Sequence, residues 1–221
     1  MKYESLIIAS GSGSIGGCTY SRNRGGQYIR RRALPINPGS SFQNIVTAGL
    51  GNLVSRWISV LTDAQRSLWA AYANAISPSA TGLNVYIASN NLRIQGGYAV
   101  IDDAPSIFSG CAMTPPGVTA PDESTQITSV SFTNTDEWAG AAGGYLFIFQ
   151  SRPTNASVNY FKGPYRFVTA VPGAATPPTS PVEAAAPFPF VVGQRVHFQF
   201  RALASDGRIS TISRTNAIAV A

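Results

Sequence analysis

The sequence predicts a mainly β protein with a small helical element, and three observations carry that expectation. Only 12% of residues are charged, while 21 glycines and 15 prolines punctuate the chain, a balance that favours strands and turns over long helices. An apolar content of 44% over 221 residues is enough to fill a real core. Apolar residues recur at spacings of three and four only between about residues 42 and 95, whereas roughly the last 100 residues carry strand signals. The expected layout is an extended basic arm over 1–40, a short helical region over 41–97, a linker over 98–121 and a β-sandwich over 122–221.

The arm comes first because it holds the charge. The formal net charge is +6, yet residues 1–60 contain seven Lys or Arg against Glu4 alone, while residues 61–221 contain nine of each sign. Within the arm, short β-prone runs, Leu6-Ile7-Ile8 and Gln27-Tyr28-Ile29, are separated by Gly11, Gly13, Gly16, Gly17, Gly25 and Gly26. Pro35, Asn37 and Pro38 then bias the backbone away from helix. Such a segment cannot build its own core and needs a surface to lie on.

Helical spacing begins after Ser40 or Ser41, with Phe42, Val46, Leu50, Leu53, Val54 and Trp57 on one face. Gly49 and Gly51 either weaken that helix or let another backbone approach. Thr62-Asp63-Ala64-Gln65 fits a capping box for a second helix, which carries Leu68, Trp69, Tyr72 and Ile76 on one side and stops before Pro78. A third helix is expected from Leu83 to about Ile94. Phe42, Trp57, Trp69 and Tyr72 are the expected docking residues of this region.

From Ala99 to Pro121 prolines and glycines break every pattern, so a linker is expected. Strands are expected beyond it at Ile127–Thr133, Tyr145–Ser151, Tyr165–Val171, Arg195–Ala204 and Ile209–Val220. In the strand before the Asp206-Gly207 turn, Val196, Phe198, Phe200 and Ala202 alternate with His197, Gln199, Arg201 and Leu203, which places the first set inward and the second outward. The Pro- and Ala-rich stretch from Pro172 to Pro189 is expected as a long loop. Size and strand spacing are those of an immunoglobulin- or fibronectin-like sandwich.

Little of this suggests catalysis. Gly11-Ser12-Gly13-Ser14-Ile15-Gly16 matches a dinucleotide fingerprint, but the stretch from Thr19 to Arg32 is rich in Gly and Arg where the fingerprint requires a helix and then an acidic residue. His197 is the single histidine and is expected on the surface without a nucleophile beside it. Asp102-Asp103, Asp122-Glu123 and Asp136-Glu137 are expected as solvated turn charges, and Cys18 and Cys111 as small buried thiols. Neither a secretory segment nor a membrane span is expected. The expectation is a non-enzymatic protein with no cofactor and no metal.

The sharpest constellation is Tyr20, Arg22, Arg24, Tyr28, Arg30, Arg31 and Arg32. Arginine offers forked hydrogen bonds to carboxylates or phosphates, and tyrosine offers flat apolar contact. A nucleic acid or the sheet edge of another protein fits these groups.

Gly13-Ser14-Ile15-Gly16-Gly17, Tyr20-Ser21-Arg22-Asn23-Arg24-Gly25-Gly26, Tyr28-Ile29-Arg30 and Pro35-Ile36-Asn37-Pro38 resemble a family of proteins encoded by tailed bacteriophages and prophages. Leu61-Thr62-Asp63-Ala64-Gln65-Arg66 with Trp69, and Gly82-Leu83-Asn84-Val85-Tyr86, continue the likeness over roughly residues 11–97. The resemblance implies a virion structural protein made in the bacterial cytoplasm, such as a capsid decoration or cement protein or a tail- or neck-associated one. Its expected partners are major capsid or tail subunits and copies of itself. Nucleic-acid binding through the arm is one alternative. A carbohydrate-binding or host-adhesion module, resting on Tyr160, Phe161 and Tyr165, is another.

Overall fold

A computed structural model of the chain describes residues 11–24, 26–34, 39–77 and 79–221, including the backbone but not the side chain of Phe42. Leu6-Ile7-Ile8, the Pro35, Asn37 and Pro38 breaks and the expected docking side chain of Phe42 lie outside what is described. The protein is mostly β, with three antiparallel sheets and three short helices. It divides into two compact units, Met1–Ser41 and Phe42–Ala221.

The first unit is a three-stranded meander of β1 (Gly13–Ile15), β2 (Cys18–Asn23) and β3 (Gly26–Arg31). Gly16 has φ +55° and supplies the tight turn from β1 to β2. Strand therefore follows the dinucleotide-like string directly, and the helix needed to meet a pyrophosphate is absent from that position. None of the described residues of this unit is buried.

In the second unit α1 (Ser41–Ser59), α2 (Asp63–Ile76) and α3 (Gly82–Gln95) form a helical layer. Thr62 accepts from the Gln65 backbone and the Gln65 side chain accepts from Thr62 N–H, so the capping box forms as its spacing predicts. Gly82 lets α3 start against α2, since a Cβ there would lie 2.8 Å from Ala70 N. Leu53, Trp69, Tyr72, Val85 and Tyr86 form the buried centre.

The β part holds two sheets, ordered β10-β9-β6-β7 and β4-β5-β8. The five expected strands are present as β5 (Ile127–Ser131), β6 (Tyr145–Gln150), β7 (Arg166–Pro172), β9 (Arg195–Leu203) and β10 (Ser213–Ile218). Two more were hidden by proline. β4 (Gly117–Val118) arises inside the expected linker, and β8 (Val182–Ala185) inside the expected long loop, where it pairs with β5. Val130 and Ala184 from one sheet share a core with Ile148, Phe198 and Phe200 from the other.

Val196, Phe198, Phe200 and Ala202 are all fully buried, as alternation predicts. The opposite set departs from expectation, because His197 and Leu203 are buried too. The cause is β6, Tyr-Leu-Phe-Ile-Phe-Gln, which is apolar on both faces and therefore requires cover on both. Phe147, Phe149 and Leu203 on the far face pack with Leu92 of α3, and Tyr98 stacks on Tyr145 with ring centres 3.9 Å apart.

Residues 98–121, expected as a linker, run along both layers with specific partners. Ile101 exchanges two hydrogen bonds with the Asn90 side chain, Tyr72 Oη donates to Ser109 O, and Cys111 N donates to Ile209 O. Side chains here satisfy backbone groups that the prolines keep out of regular ladders.

Candidate functional site

In the arm, the register distributes the predicted residues over two faces. Ile15, Cys18 and Arg31 are opposite one another, as are Gly13, Tyr20 and Ile29, and Arg22 opposes Gln27, all on one face. Ser14, Thr19 and Arg30, with Ser21 and Tyr28, share the other. Arg24 lies in the β2–β3 turn and Arg32 follows β3, where its N–H donates to Gly17 O. The constellation is thus split. Tyr20, Arg22 and Arg31 accompany the apolar Ile15, which is 76% exposed, while Tyr28 and Arg30 accompany hydroxyls. Cys18, expected to be buried, is exposed because its face has no covering layer within the unit.

The helical docking residues go inward. Trp69 and Tyr72 are fully buried, and Trp69 meets Tyr72 and Tyr86 edge-on with ring centres 6.1 and 5.5 Å apart. Trp57 is half-buried against Tyr86. These side chains form the chain's own core.

The acidic pairs, too, are structural. Arg56 forks onto Asp102, with Nε to Oδ1 at 2.7 Å and Nη2 to Oδ2 at 2.5 Å, while Tyr86 donates to Oδ1 at 3.2 Å. Those bonds from Arg56 hold the Asp102 carboxyl below its ordinary range. Burial, reinforced by the Asp102 charge, raises the Tyr86 hydroxyl. Asp103 accepts from Gln65, Asp136 from Thr114 and Asp122 from Ser124 in its own turn, and Glu137 pairs with the buried Arg208; Asp103 and Glu137 are exposed, as expected of solvated charges, but each has a protein partner. Cys111 is buried as expected, and that burial pushes its thiol up to about 12.

Two pockets beside the four-stranded sheet collect the remaining chemistry. The segment after β6 folds back across the outward face, where Phe161 stacks on His197 with ring centres 5.5 Å apart and Tyr165 Oη donates to Phe161 O. Burial, with the Arg195 charge behind it, lowers the His197 pKa and keeps the ring neutral. Phe161 lines both a pocket of about 170 Å³ bounded by Tyr160, Tyr165, Arg214 and Asn216 and one of about 300 Å³ bounded by Arg152, Arg166 and Phe188. The guanidinium of Arg214 is 5.8 Å from the Tyr165 ring centre, and those of Arg152 and Arg166 are 5.2 and 5.9 Å from that of Phe188.

The sequence pointed to Tyr160, Phe161 and Tyr165 here but not to the arginines. These come from separated strands and loops, and the one available signal was regional charge: residues 145–221 hold seven Lys or Arg against Glu183 and Asp206. No family model, curated protein or solved structure matches the chain. Among the described residues, no helix is long and apolar enough to cross a membrane.

Proposed function

We propose that this chain is a virion structural protein of a tailed bacteriophage, a capsid decoration or cement protein that grips neighbouring subunits through its N-terminal arm. The observation that carries this reading is a folded β meander without a single buried residue among those described, attached to a unit with its own complete core. A small sheet of this kind gains independent stability only when a face is packed. Its face bearing Ile15, Tyr20 and Ile29 supplies apolar area, and Arg22 and Arg31 on that face supply forked donors for acidic groups. Apolar side chains between the arginines favour a protein surface over a nucleic acid.

The β part of the second unit is an immunoglobulin-related sandwich of the fibronectin type in this reading. Sheet orders β4-β5-β8 and β10-β9-β6-β7 correspond to strands A-B-E and G-F-C-C′ of such a sandwich. The test is deletion of residues 1–32 in a phage that encodes the protein. Particles are expected to lack the truncated chain while its circular dichroism retains the β signal; normal incorporation of the truncated chain sinks the proposal.

A further inference from the structure

We propose that α1 is a dimerisation helix, which packs antiparallel against α1 of a second copy of this chain about a two-fold axis at Asn52. This contact goes beyond the assembly role of the arm and does not depend on it, since every residue involved belongs to the second unit.

The helix is only half covered. Its C-terminal half is anchored by Leu53 in the helical core, by Trp57 against Tyr86 and by the fork of Arg56 onto Asp102. Every described side chain from Ser41 to Ala48 is exposed, and Ile45, Val46 and Leu50 are each at least 40% exposed. Two turns of helix without cover have little stability in water, and a partner surface supplies what they lack.

Charge selects a neutral partner. The stretch from Ser41 to Ser55 holds no charged residue. In the rest of the helical layer Arg56 pairs with Asp102 and Arg66 with Asp63, Asp103 accepts from Gln65, and Arg93 is buried on backbone carbonyls. The arginines of an arm therefore meet no unpartnered carboxylate among the described residues of this layer, and a nucleic acid meets no free cation. Depletion of charge around exposed apolar groups is the pattern of a protein interface core. A neutral surface meets its own copy without repulsion.

Shape selects α1 itself. Ile45 and Ala48 continue the line of Asn52, Ser55 and Ser59 at spacings of three and four, which places them on one face of the helix. The C-terminal half of this face borders a groove of about 410 Å³, lined by Leu53, Val60, Ile94 and Val100 beside Asn52 and Ser59. The N-terminal half presents Ile45. An antiparallel two-fold at Asn52 sets Ile45, as far before the axis as Ser59 lies beyond it, against Ser59 of the other copy, so each isoleucine enters the other copy's groove. The Asn52 side chain makes no hydrogen bond among the described residues, and on the axis the two amides donate to and accept from each other. One helix thus carries both the knob and the hole.

Sedimentation velocity of the full chain over a concentration series is expected to show a reversible monomer–dimer equilibrium. Ile45→Glu, a change at an exposed side chain, should weaken the dimer at least about tenfold by burying an unpaired charge, with the thermal midpoint of the dilute protein unchanged. Arg31→Glu in the arm should leave the dimer as it is. In a Cys18→Ser background, which removes the exposed native thiol, Asn52→Cys should oxidise to a covalent dimer. Thr47→Cys, about 140° around the helix from position 52, should not. The proposal is overturned if the chain stays monomeric throughout, if Ile45→Glu keeps the parent dissociation constant, if Arg31→Glu alone dissolves the dimer, or if Thr47→Cys cross-links as readily as Asn52→Cys.

Discussion

Asp102 is the residue on which the helical layer converges. Its carboxylate takes the fork of Arg56 and the hydroxyl of Tyr86, while its backbone carbonyl accepts from Trp69 Nε1 at 2.8 Å. Because its folded pKa lies below the ordinary value, its contribution to stability is fully present above about pH 4 and is lost as pH falls through the folded value. Asp102→Ala leaves the Tyr86 hydroxyl without its acceptor and should cost about 2 kcal/mol in urea unfolding at neutral pH. Asp102→Asn should flatten the acid limb of the stability profile relative to the parent. An Asp-Asp pair among prolines looks like a solvated turn in sequence, since the partner arginine is 46 positions away. The same distance effect concealed the pairing of Glu137 with Arg208 and the burial of His197 beneath Phe161.

Elements were legible where the information is local. The second helix announced its start through Thr62 and Gln65, three residues apart, and its stop through Pro78. Strands with runs of β-branched and aromatic residues were readable, whereas β4 and β8, two and four residues long and flanked by proline, were not. Their strand conformation comes from pairing with β5 rather than from their own composition. Gly82 carries no signal of its role in the sequence, because that role is the crossing of α2 and α3. Gly82→Ala would drive a methyl into the backbone at Ala70, and no flexible side chain is there to yield. A loss of about 1–3 kcal/mol is expected, seen as an earlier urea midpoint.

Across the whole molecule, Arg93 shows how helices and sheets become one unit. It is buried, its Nη2 donates to the carbonyls of Gly143, Ala204 and Ser205, and its guanidinium lies 5.3 Å from the centre of the Tyr145 ring. Ser89 Oγ adds a bond to Gly207 O, in the Asp206-Gly207 turn. Helical and β signals should therefore be lost in one transition when far-UV circular dichroism and tryptophan fluorescence are followed together. Arg93→Ala removes this donor from the Gly143 and Ser205 carbonyls, while Ala204 O keeps its bond from Gly207 N–H, and should cost about 2–4 kcal/mol, with the two probes beginning to separate. Coincident transitions at the parent midpoint would rule out this coupling role.

The sequence by itself determined the mainly β character, the three helices, the inward set of β9 and the coreless, arginine-bearing arm. Each of these is written in residues close together, through period, capping, glycine spacing or local charge. Only the tertiary structure decided that β6 is covered on both faces, that 98–121 is a strap tied to both layers, and that basic and aromatic groups gather around Phe161. Those outcomes depend on contacts between residues far apart in the chain, where an apolar strand needs cover and a charge needs a partner, but neither requirement names the residue that will meet it.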